Sequence, residues 1–225
     1  AAERRGMRLG APRVPGPKYY YGGPQFADRY LTGVGLLEPA DAWLAHLPRE
    51  YTGREIRLTT VAEAQLHRPM FVKPPSSKVF PAAVYRALPS DLAPDTPVLV
   101  SEVVAFAAEF RLFVIDGTVH TGSRYATWGR LDPGPLDEPR ICEFAKDLLA
   151  NVGDSLPSAV VLDVGMTGPA DDPRCDIAVV EANMAWFSQP YQADADCALD
   201  VVLRAAGPLE DVSESDRRFL RGQET

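Results

Sequence analysis

The chain has 225 residues, a formal charge of −8 and a hydrophobic fraction of 46%. That supports one large or two small domains with a real core, and the acidic balance excludes a general nucleic-acid binder, which needs a basic face. No apolar run approaches the ~20 residues that span a bilayer, no leader-like segment is visible, and the scattered Cys142, Cys175 and Cys197 point to a reduced, cytoplasmic protein.

The opening "AAERRGMRLG" reads as the end of a helix stopping at Gly6, with a preceding strand expected outside this chain. Residues 1–25 are otherwise rich in Pro, Gly and Tyr and loop-like. "LLEPADAWLAHL" (36–47) predicts a short helix with Trp43, Leu44 and Leu47 on one side. Residues 54–72 predict a strand, then a helix over 60–68 with Thr60 and Glu63 as a capping box, then the strand "MFV". "PVLVSEVV" predicts a strand. "EFRLFVIDGTVHTGSRY" predicts a hairpin turning at Asp116-Gly117, a dipeptide suited to a type I′ turn. "EPRICEFAKDLLANVG" has helical spacing in Ile141, Phe144, Ala145, Leu148 and Leu149, with Gly153 as the stop. "AVVLDVG" and "IAVVEAN" predict two strands, and "DADCALDVVLRAAG" a last helix with Leu199, Val202 and Leu203 toward the core. The charged tail "SESDRRFLRGQET" (213–225) is expected to fray. Hairpin-paired strands with helices beside them give an α+β fold.

Four places on these strands carry polar residues that chemistry could use. Glu181 and Asn183 share a face, roughly 7 Å apart, together with Val179. If their strand pairs with the preceding one about Asp172, Asp163 lies opposite Glu181, and three oxygen-bearing side chains converge as hard ligands suited to Mg²⁺. Solvated strand ends would look the same. Counting back from the hairpin turn places Glu109 opposite Arg124, with Arg111 on the same face. That reads either as a cross-strand ion pair or as an anion site in which Glu109 takes a hydroxyl. Lys73 ends "MFV" and Lys78 follows in "PPSSK"; these are two of only four lysines in the chain. Glu102 closes a strand seven residues before Glu109.

In this order, these features resemble the ATP-grasp superfamily, over about residues 54–206. The resemblance implies two α/β subdomains whose antiparallel sheets grip a nucleotide. They would be preceded by a small N-terminal α/β piece (1–53), like that of compact stand-alone bacterial ATP-grasp proteins, and followed by the charged tail (207–225). It further implies Lys73 on the phosphates, Glu102, Val103 and Ala105 on adenine, Glu109 on ribose, and Asp163, Glu181 and Asn183 on Mg²⁺. Three departures stand out. The glycine-rich loop after the lysine is "PPSSK". The arginine usual two residues before the metal aspartate is Val161, leaving Arg111 or Arg124 to take over its charge. The upstream lysine is missing, with Arg54 or Arg57 in its place, and Arg54 is the candidate cofactor contact. Arg111, Arg124 and Lys78 are thus the catalytic candidates.

The implied activity is an ATP- and Mg²⁺-dependent ligase joining a small-molecule or peptide carboxylate to an amine (or thiol). The alternatives are an ATP-grasp kinase and a non-catalytic nucleotide-binding module. Neither nucleic acid nor membrane is an expected partner, and the only partner chain to expect is a second copy.

Overall fold

The computed structural model describes all residues except 9, 11–17, 65, 67, 76–78, 170, 171, 173 and 223–225. In chain order the elements are α1 (Pro24–Tyr30), β1 (Val34–Leu36), α2 (Trp43–His46), α3 (Arg49–Thr52), β2 (Ile56–Thr60), β3 (Met70–Lys73), β4 (Ala83–Tyr85), β5 (Pro97–Ser101), β6 (Ala108–Ile115), β7 (Thr118–Thr127), β8 (Arg130–Pro135), α4 (Pro139–Val152), β9 (Ala159–Met166), β10 (Ile177–Asn183), α5 (Ala195–Ala205) and β11 (Ala206–Pro208). The strands form a five-stranded sheet, β10-β9-β6-β7-β8, a four-stranded sheet, β2-β5-β3-β4, and a pair, β1-β11. Each pairing is antiparallel, so the α+β expectation holds.

The five-stranded sheet is the centre of the molecule. Phe110, Leu112 and Val114 of β6 and Val160, Leu162 and Val164 of β9 face α4, which presents Ile141, Ala145, Leu148 and Leu149. The alternate residues Phe113, Ala159 and Val161 face α5 and Trp186. Both long helices start on a side-chain cap: Glu138 accepts from Arg140 N–H, and Asp194 from Asp196 and Cys197 N–H. On α5 the core face is Ala198, Val201, Val202 and Ala205, while Leu199 and Leu203 are only half-buried. Small residues bring this helix close to the sheet, so bulk was a poor guide to its inner face.

Other expectations change too. Residues 61–63 form a turn, not a helix, closed by Ala64 N–H to Thr60 C=O. Nine residues without a wide apolar face cannot offset the cost of helix nucleation. The helix expected over 36–47 shrinks to α2, because Leu36 and Leu37 pair as strand with Ala206 and Leu220. The tail does not fray up to residue 222. Asp216 is buried and accepts from Ser158 N–H, Ser158 Oγ and Ser213 Oγ. Arg221 pairs with Asp28 at 2.7 Å and with Glu38 at 2.5 Å.

Candidate nucleotide site between the two sheets

A cavity of about 370 Å³ lies between the two main sheets. Its apolar walls include Ile56, Phe71, Val84 and Leu99 of the smaller sheet and Phe106 of the crossing segment that joins β5 to β6. Phe106 fits because β9 has glycine beneath it: a Cβ on Gly165 would stand 2.3 Å from the ring. Its polar lining includes Arg54, Lys73, Glu102, Glu109, Tyr125 and Glu181.

The register brings the acids together. Asp163 is opposite Glu181 on one side and Arg111 on the other, so β6, β9 and β10 carry them in one row. The expected pairing about Asp172 therefore holds at this end. A bulge at Val180 then turns Val179 to the α4 face, opposite Val164, and away from Glu181 and Asn183.

Each carboxylate in the row is already compensated. Arg111 grips Asp163 at two points, Nε to Oδ1 at 2.8 Å and Nη2 to Oδ2 at 2.7 Å. Asn183 Nδ2 donates to Asp163 Oδ2 (3.2 Å) and Glu181 Oε1 (3.1 Å). Lys73 Nζ reaches across from the smaller sheet to Glu181 Oε2 at 2.5 Å. Burial lifts the Asp163 carboxyl to about 6 against the pull of Arg111. Burial also pushes Glu181 up, but the charge and hydrogen bond of Lys73, with Asn183 and Arg111, outweigh it and hold the group below its usual range.

Arg54 is buried, and its guanidinium donates to Thr52, Val179 and Val180 carbonyls. It makes no ion pair among the described residues, and burial pulls it down to about 10. Arg57, its rival at the sequence level, is exposed and pairs with Glu55.

Two site candidates fall outside this arrangement. Arg124 does not face Glu109. His120 and Tyr125 each bulge out of β7, so the count from the turn slips twice and Glu109 pairs with Ala126. A one-residue slip flips the face: Arg124 comes opposite Phe110, on the α4 side, and pairs with Asp132 at 3.2 Å. Ala105 is exposed and off the cavity lining. Lys78 lies outside the described residues. Glu102 lines the cavity, but its carboxylate is engaged by Arg68 at 2.6 Å, Arg49 at 3.4 Å and Glu55 N–H at 3.1 Å.

Tyr125 was missed. The bulge at His120 that moves Arg124 off Glu109 leaves Tyr125 on the cavity side, where its hydroxyl donates to Glu109 Oε2 at 2.7 Å. Burial, then the nearby Asp163 and Glu109 charges, drive the phenol far above its ordinary range. Nothing in the composition around "TVHTG" or "SRYAT" marks the two bulges.

The model of the ATP-grasp domain family R2K_2 matches residues 51–201. The chain belongs to this ATP-grasp family. Solved structures with a similar fold include a D-alanine–D-alanine ligase from Bacillus anthracis, at 13% identity and TM-score 0.48, covering 73% of this chain and 65% of that one. They also include the ATP-grasp ligase PsnB with a precursor peptide and AMPPNP, at 17% identity and TM-score 0.39, covering 66% and 52%. A third is the macrocyclase MdnC with precursor peptide MdnA from Microcystis aeruginosa, at 14% identity and TM-score 0.41, covering 72% and 57%. The chain thus spans about half to two thirds of those proteins. No curated protein sequence matches it.

ATP-grasp membership raises the question of a metal. No set of three or more His, Cys, Asp or Glu side chains gathers for one among the described residues. The donors present are two carboxylates and an amide, all oxygen. That fits Mg²⁺, which usually takes one or two carboxylates and completes its shell with water and phosphate.

Proposed function

We propose that the protein is an ATP- and Mg²⁺-dependent ligase that joins a carboxylate to an amine (or thiol) through an acyl phosphate. One observation carries the reading: Lys73 from one sheet meets Glu181, Asn183 and Asp163 from the other at a cavity of small-molecule size. The nucleotide-binding unit in this reading is 54–206, braced by 1–53 and 207–225.

Adenine enters the apolar part of the cavity, between Leu99, Val84 and Phe106, against the backbone of Glu102 and Val103. Glu109 accepts the ribose hydroxyls once Tyr125 turns its own hydroxyl aside. Arg54, a buried cation that donates to main-chain carbonyls and lies over the Phe106 ring, faces phosphate, and Lys73 exchanges Glu181 for phosphate oxygens. Glu181, Asn183 and Asp163 would hold Mg²⁺, which when bound would neutralise charge on the transferring phosphoryl group. Arg111 keeps Asp163 ionised and oriented, the task left open by Val161.

A substrate carboxylate oxygen attacks the γ-phosphorus, and ADP leaves. The amine nitrogen then attacks the acyl carbon, loses its proton, and phosphate departs. Such chemistry needs positioned cations and excluded water more than a covalent nucleophile.

The test is incubation with ATP, Mg²⁺ and a panel of carboxylates and amines, followed by mass spectrometry. A ligase yields ADP, phosphate and an amide. A phosphorylated product without an amide overturns the ligase reading in favour of a kinase, and no turnover across the panel favours a binding module.

A further inference from the structure

Three non-glycine residues among those described have positive φ: Asp116 (47°), Trp128 (50°) and Tyr191 (53°). Asp116 and Trp128 each precede a glycine of positive φ in a two-residue hairpin turn, where that conformation is expected. Tyr191 serves no hairpin. It is the second residue of the turn Pro190–Ala193, closed by Ala193 N–H to Pro190 C=O at 2.9 Å, a place normally taken by glycine or asparagine. A bulky aromatic residue held in this region is an outlier that points toward a role.

The segment carrying it runs from the end of β10 across the sheet toward β7 and is pinned along its length. Ser123 Oγ donates to Pro190 C=O, Thr121 Oγ1 accepts from Asp194 N–H at 3.0 Å, and Gln192 Nε2 donates to Pro133 C=O at 3.0 Å. The unusual backbone lays the Tyr191 ring on Tyr125, with centroids 5.5 Å apart and planes 15° from parallel. The Arg111 guanidinium carbon lies 5.4 Å from both centroids. The same guanidinium holds Asp163 at two points and turns its remaining nitrogen toward Gln189 C=O. Arg111 has therefore no freedom left: the carboxylate fixes one edge and the two rings back it.

We infer that Tyr191 is a positioning residue, whose ring, imposed by a left-handed backbone, completes the aromatic wall that locks Arg111 onto Asp163 and so fixes the aspartate for its ligand. The inference deepens the metal assignment proposed above and rests on it. Nothing in the string "SQPY" marks this conformation.

The test compares Tyr191→Gly, which suits the backbone but removes the ring, with Tyr191→Phe, which keeps the ring. The first readout needs no metal or turnover: exchange of the Arg111 Nε–H with water, followed by NMR. It should quicken markedly in Tyr191→Gly and stay at the parent rate in Tyr191→Phe, while the glycine variant melts no lower than the parent. The second readout is AMPPNP titration with and without Mg²⁺. The gain in affinity on adding Mg²⁺ should fall about tenfold in Tyr191→Gly, as expected when the support of a metal ligand is removed. Parent-like exchange in Tyr191→Gly overturns the inference and leaves the ring as a cover. If instead the parent protein binds AMPPNP equally with and without Mg²⁺, the metal reading itself falls, whatever the exchange shows.

Discussion

The two sheets that enclose the cavity are built differently. The five-stranded sheet has its two longest hairpin strands and β9 packed on both faces, against α4 on one side and α5 with Trp186 on the other. The four-stranded sheet has strands of three to five residues and a buried cluster of Val72, Phe80, Val98 and Val100 on one face only. Its other face, with Leu99 and Ser101, lines the cavity. The carboxylates Glu109, Asp163 and Glu181 stand on the heavily packed sheet, and Lys73 on the lightly packed one. In the proposed function, acids that hold a metal at fixed spacing need a rigid base, whereas the lysine proposed for phosphate can ride on an element with less holding it.

Mutations on the two sides should separate these roles. The largest effect is expected at Asp163. Asp163→Ala strands the Arg111 charge in a buried place and should cost about 3–5 kcal/mol. Glu102→Ala, which breaks half-exposed pairs with Arg49 and Arg68 on the other side, should cost far less. Thermal unfolding of both variants checks the contrast, and equal melting points would erase it.

Next comes Lys73→Met, which should weaken ADP and ATP-analogue binding alike, by about 1.5–3 kcal/mol for lost bonds to charged oxygens. Unchanged affinity in calorimetry would leave Lys73 as merely the partner of Glu181. A smaller loss is expected for Gly165→Ala. The new methyl must push Phe106 off β9, an overpacking cost of about 1–3 kcal/mol, part of which appears as weaker nucleotide binding. Parent-like affinity there would mean that Phe106 does not shape the nucleotide pocket. The smallest effect belongs to Arg124→Ala. Its side chain is on the α4 face, so nucleotide affinity should stay within error of the parent. A clear loss would put Arg124 back in the site.

Arg124 also shows where sequence stops being informative. The Asp116-Gly117 turn is legible because two adjacent positive-φ positions demand particular residues. Residue by residue, the count from that turn is right at Ile115 and wrong at Glu109, because a bulge inserts one residue without demanding any residue type. The Asp163–Glu181 pairing is legible because their strands keep one register from that pair to Asn183 and Val161. α4 is legible because four large or medium apolar side chains share one helical face. The inner face of α5 is not, because alanines form much of it. The order of tail residues 207–222 depends on partners far away in the chain (Ser158, Leu37, Asp28), which local composition does not reveal.

The meeting of the two sheets through Lys73 and Glu181 has a kinetic consequence. At the cavity and the row behind it, Arg54, Lys73 and Arg111 balance Glu109, Asp163 and Glu181, and Glu102 is engaged by Arg49 and Arg68, so the mouth carries little net charge to draw in an anion. The chain as a whole carries −8. A nucleotide therefore arrives against the long-range field instead of being drawn in by it. Its association rate should rise as salt shortens the reach of that field to about 10 Å at 0.1 M. That is the reverse of the behaviour of an enzyme that steers its substrate, and it makes capture depend on what happens after contact.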